Sequence, residues 1–153
     1  MVLLHFILRN VLATVIACAS LGAVAADATA DQAAVRHALM AEFDKPEARL
    51  QVEPVVVVDD AALAGWTQGE RGGRALLFRK GTHWQIAVCG GDGLKDATLL
   101  RDTGIKPAAA DSLAKGLAAA EAKLPASHRA KFSTFDGLLR MDGAGQHPPA
   151  HKH

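Results

Sequence analysis

A chain of 153 residues is long enough for one small domain and a targeting segment. Half of its residues are hydrophobic, but only 5% are aromatic and none is tyrosine, so its core must rest on Ala, Leu and Val. A formal charge of +1, from 17 basic and 16 acidic residues, excludes the basic footprint of a nucleic-acid binder and a polybasic membrane surface.

The first 26 residues, MVLLHFILRNVLATVIACASLGAVAA, have one firmly charged residue, Arg9. A short apolar run follows it, then small residues ending in Ala23-Val24-Ala25. That is the layout of a secretory signal. Its uninterrupted apolar part is too short to span a bilayer comfortably, so no stable membrane span is expected in the mature chain. Residues 1–26 are therefore read as a signal peptide, cleaved after Ala25 or Ala26. Val15-Ile16-Ala17-Cys18 also fits a lipidation box, and the alternative is a lipoprotein anchored at Cys18. Ordinary cleavage is preferred because apolar residues continue past Cys18. Cleavage leaves a formal charge of zero and Cys89 as the single cysteine, which cannot form an internal disulfide.

Residues 27–142 read as a single α+β domain. TADQAAVRHALMAEFD is predicted as its first helix, capped by Thr29 or Asp31 and ended by Pro46. Val35, Leu39 and Phe43 recur at helical spacing on one face. The next forty residues are dense in Val, Leu, Ile, Trp and Phe. Asp59-Asp60, the glycines from 69 to 73 and Lys80-Gly81 punctuate them. This predicts a four-stranded antiparallel meander, with Pro54 near a strand start or on an edge. In the fourth strand, strict alternation would put Trp84, Ile86 and Val88 on one face, and His83, Gln85, Ala87 and Cys89 on the other.

After Cys89 the pattern turns helical. A short helix is predicted in GLKDATLLRDTG, closed by Gly104. A longer one follows in KPAAADSLAKGLAAAEAKLP, with Leu113, Leu117 and Leu124 on one stripe, and a third starts at Pro125. GLLRMDG fits either a last helical turn or a short strand. The order of helix, strands and helices implies one sheet with the C-terminal helices covering one face, the other face being partly open. Residues 143–153 hold only Gly, Ala, Gln, Pro, His and Lys, and read as a flexible His-rich tail.

That tail, HPPAHKH, is the first candidate for chemistry. Neutral imidazole binds copper, zinc and nickel. His147, His151 and His153 lie within seven residues, so one ion can gather all three. Met141, just upstream, would add a thioether that favours Cu(I). The competing reading is a solvated end, since His-rich tracts are only a compositional signal. A possible secondary metal site consists of His37 and Met40, neighbours at i and i+3 on the first helix, and of Cys89. For the first two, an exposed His beside a half-buried Met is the plainer reading; for Cys89, a small buried hydrophobe. His83 cannot form a dyad with Cys89, because six strand residues span roughly 20 Å. CGGDGLKD lacks the Lys-Ser/Thr ending of a phosphate loop. Ser112, Ser127 and Ser133 lie in no Gly-x-Ser-x-Gly elbow. Nothing assembles a catalytic constellation, so the chain is not read as an enzyme.

Taken together, GWTQG, GGRALL, HWQIAVCGGD and RMDG resemble a family of small secreted bacterial proteins, the copper uptake system-associated proteins. The resemblance runs from the first helix to the His-bearing tail. It implies a periplasmic accessory to copper handling, with copper as its ion and a copper transport or chaperone protein as a possible partner. It brings no established ligand set. The alternative is a small α+β protein-binding or inhibitory module, using the open sheet face and the GERGG loop, with an inert tail. A weaker third reading is a thiol enzyme at Cys89. The signal layout predicts that N-terminal sequencing of the exported protein finds Ala26 or Asp27 first; a lipid-modified Cys18 would show a membrane anchor instead.

Overall fold

The computed structural model of the chain describes residues 21–141, with side chains from Asp27 onward. Of the expected signal segment only the backbone of 21–26 is described, and the tail 143–153 lies outside the described residues.

Helix α1 (Leu21–Phe43) is followed by four strands, β1 (Leu50–Val58), β2 (Ala61–Gln68), β3 (Arg71–Lys80) and β4 (His83–Gly90). A 3-10 turn (Asp92–Lys95) leads to α2 (Ala97–Asp102), α3 (Pro107–Glu121) and α4 (Ala126–Phe132). A short strand, β5 (Leu138–Arg140), closes the order. The five strands form one antiparallel sheet in sequence order, so the predicted meander is present and GLLRMDG resolves as an added strand beside β4. The meander closes easily because each two-residue loop starts at positive φ, at Asp59, Gly69 and Gly81, residue types that tolerate it.

The apolar spacing of α1 works as predicted: Val35 and Leu39 are fully buried and Phe43 is half-buried. Asp31 does not cap the helix, which begins ten residues earlier; it forms a two-pronged ion pair with Arg79 of β3 at 2.6 and 2.8 Å. The Arg79 hydrogen bonds hold the Asp31 carboxyl below its usual range. The Arg79 guanidinium also lies 4.5 Å from the Trp84 ring centre. β1 is an edge strand, as Pro54 required, and its register shifts between Val52 and Val55. Side chains of α1 cover that edge: Gln32 Nε2 donates to Val55 O and Arg36 Nε to Val52 O, each at 3.2 Å.

Helices pack on both sheet faces, and the α1 face is left uncovered only in part, at one end of the sheet. Leu63, Leu76 and Val88 pack against Leu100 of α2 and Leu113 and Leu117 of α3. On the opposite face Ala62, Ala64 and Ala75 meet Val35 and Leu39 of α1. Strands β2 and β3 are thus apolar on both sides. On the α1 face the small side chains of Ala62, Ala64 and Ala75 let the helix lie close, with Leu77 beside them.

Strict alternation along β4 also fails, for a specific reason. Leu77 pairs with Ile86 while Leu76 pairs with Val88, so Ala87 is a bulged residue. The bulge flips the phase. Trp84, Ile86 and Cys89 share the α1 face, and Val88 turns to the other. His83 and Cys89 therefore point to opposite faces, not to one.

Arg74 of β3 is 2% exposed. Its Nε and Nη2 donate to the two carboxylate oxygens of Glu121 at 2.6 and 2.9 Å, and its Nη1 to Asp92 at 3.2 Å. Its guanidinium sits 5.2 Å from the centre of the Phe132 ring. Ser133 Oγ donates to Asp92 as well, at 3.0 Å. Burial raises the Asp92 carboxyl, but Ser133, Lys95 and Arg74 together bring it below its usual range. Removing one partner of a buried pair strands the other charge. Glu121→Ala should therefore cost roughly 3–5 kcal/mol in denaturant unfolding, with Arg74→Met plus Glu121→Leu much milder. A loss under about 1 kcal/mol for Glu121→Ala would show that Arg74 does not depend on it.

Candidate functional site

Helix α1 stops at Phe43, short of one end of the sheet. The chain leaves it through Asp44 and Pro46, and two side chains hold that exit. Asp44 Oδ1 accepts from Leu50 N at 2.7 Å, and Gln68 Nε2 donates to Phe43 O and Ala48 O at 2.9 and 2.7 Å. Beyond this corner the α1 face of the sheet opens into a cavity of about 120 Å³. Phe43, Leu50, Trp66, Gln68, Cys89, Phe135, Leu139 and Met141 line it.

The far wall is built by the segment after α4. Gly72 and Gly73 let that segment approach the sheet. A Cβ at Gly73 would lie 2.8 Å from Trp66 and 3.0 Å from Phe135 Cβ. Thr134 Oγ1 accepts from Gly72 N at 3.0 Å and donates to Gly72 O at 3.2 Å. Gly72 and Gly73 of GERGG are thus covered by the chain's own α4–β5 connection, while Gly69 stays exposed. Phe135 stands edge-on to Trp66, with ring centres 6.0 Å apart.

β5 then pairs Leu139 with Cys89, and Met141 N donates to Ala87 O at 2.8 Å. This extends the ladder one residue beyond β5 and sets Leu139 and Met141 on the cavity side, two residues apart. Two of the sulfur-bearing residues singled out separately in the sequence, Cys89 and Met141, line one cavity. Cys89 is 4% exposed, and burial pushes its thiol up to about 11. Burial thus favours the neutral thiol at neutral pH, in keeping with a packed side chain.

The other candidates lie elsewhere. His37 and Met40 face outward on α1, Met40 being 38% exposed, and neither lines the cavity. His147, His151 and His153 lie outside the described residues. Among the described residues no group of three or more His, Cys, Asp or Glu is placed to hold a metal ion. No described helix is long and apolar enough to cross a membrane.

Sequence reasoning missed the cavity itself. Its aromatic walls, Phe43, Trp66 and Phe135, belong to three separate elements. The available signal was the alternation Leu139-x-Met141, which becomes informative only when GLLRMDG is a strand paired with β4. No family model matches the chain, and neither a curated protein nor a solved structure matches it.

Cys89→Ala should cost on the order of 1 kcal/mol in unfolding free energy, through lost packing against the cavity floor. In the native protein Cys89 should react with a thiol reagent far more slowly than after denaturation. Equal rates would mean that the cavity floor is open to solvent.

Proposed function

We propose that this protein is a periplasmic accessory of copper handling, exported by residues 1–26. It binds copper through Met141 with His147, His151 and His153, and passes the ion to a copper transport or chaperone protein. One observation carries the reading: Met141, the residue before the His-bearing segment, is held by the Ala87 carbonyl on the wall of a cavity whose floor is Cys89. A thioether favours Cu(I), and imidazole accepts either copper ion. A strand-held ligand also reduces the ordering entropy that opposes chelation by residues on a free segment. The buried Cys89 thiol would have to lose its proton to ligate, against the burial that raises it. It therefore stands behind Met141 as a secondary ligand. The resemblance to copper uptake system-associated proteins points the same way.

The test is a Cu(I) titration of the full mature chain against a chromogenic chelator, beside Met141→Leu and the triple variant His147→Gln, His151→Gln, His153→Gln. Each variant should weaken binding at least about tenfold, a loss near 1.4 kcal/mol. Wild-type affinity should fall as pH drops through ~6.5, because imidazolium has no lone pair for the ion. Metal-free protein should keep its thermal unfolding midpoint. Equal affinity in all three proteins would remove both Met141 and the tail from the site.

A further inference from the structure

We propose that the cavity beside Met141 is a docking site for the chain's own following segment, with Pro148 and Pro149 seated against Trp66, Phe135 and Phe43. The chain leaves the described fold at the cavity wall, since Met141 both lines the cavity and is the last described residue. The sequence then runs DGAGQHPPAHKH. Gly143 and Gly145 permit a reversal within a few residues. The Pro-Pro-Ala that follows is the apolar part of the segment.

The chemistry of the two partners agrees. The cavity is apolar, and three aromatic rings form its walls. Its polar side chain, Gln68, has its amide N–H groups engaged with Phe43 O and Ala48 O. Such a surface offers rings for stacking and little for a charged ligand. Proline-rich segments are recognised by aromatic-lined grooves because their extended conformation is preformed and loses little entropy on docking. A volume of about 120 Å³ suits a ring-sized group rather than a large ligand. The tether does the rest. A short flexible linker gives an effective concentration in the millimolar range, so an intrinsic Kd of about 1 mM is enough for substantial occupancy. Docking would bring His147 and His151, which flank the prolines, to the mouth where Met141 stands.

The inference stands apart from the copper reading, because its test uses the metal-free full chain. In NMR spectra recorded with a chelator, nuclear Overhauser contacts should connect Pro148 or Pro149 ring protons to the Trp66 and Phe135 rings. Pro148→Ser with Pro149→Ser should abolish them and shift the Trp66 indole N–H signal, assigned through Trp84→Phe. Absence of those contacts in the full chain, with the Trp66 signal unmoved by the proline substitutions, would overturn the proposal. A copper titration that failed would leave these contacts in place, and the contacts are read without metal, so failure of one reading is distinguishable from failure of the other.

Discussion

A guanidinium removed from water constrains everything around it. Arg74 projects from the middle of the sheet into the region where α3 ends and α4 begins. Two oxygens of Glu121, one of Asp92 and the face of Phe132 surround it. Each of those groups comes from a different element. The desolvation cost of such a charge is recovered only when all its partners are in place, so the pair specifies an arrangement more than it adds stability. What it specifies is where α4 lies. Because Phe132 is held over Arg74, the next residues are delivered to Gly72 and Gly73, and Phe135 meets Trp66. From there the chain enters β5 and reaches Met141. The wall of the cavity thus rests on a charge pair on the other side of the sheet.

Two further constraints make the cavity. One is the length of α1 relative to the sheet it covers. The helix ends at Phe43, where Asp44 and Gln68 fix the exit, and a patch of the sheet surface is left without a helix over it. The other is the bulge at Ala87. Without it, Cys89 would fall on the α2–α3 face and the cavity floor would be a different residue. A single inserted position in β4 therefore brings Cys89 to the side that Met141 and Leu139 occupy.

Much of the architecture was legible. Val35, Leu39 and Phe43 announced α1 by their spacing, Leu113 and Leu117 announced α3, and the paired acidic and glycine turns marked the meander. What stayed hidden depended on pairings distant in sequence. The partner of Arg74 is 47 residues away on α3, with no local signature. GLLRMDG could not be assigned because a three-residue strand has no periodicity; it exists through its partner β4. The covering of both faces was written in the alanines of β2 and β3, which are small for a reason visible only once α1 lies on them. Of the candidate site, Met141 and Cys89 were each singled out, for different roles. The bulge and the β4–β5 pairing bring them to one cavity.

The central proposal is that copper binds at the mouth of this cavity, on the Met141 sulfur and the imidazoles that follow. X-ray absorption at the copper edge of the loaded full chain examines it directly. The account predicts a mixed shell of sulfur and imidazole nitrogen, with the sulfur contribution lost or strongly reduced in Met141→Leu while Cys89→Ala retains it. A shell of nitrogen and oxygen alone, identical in Met141→Leu, would contradict it.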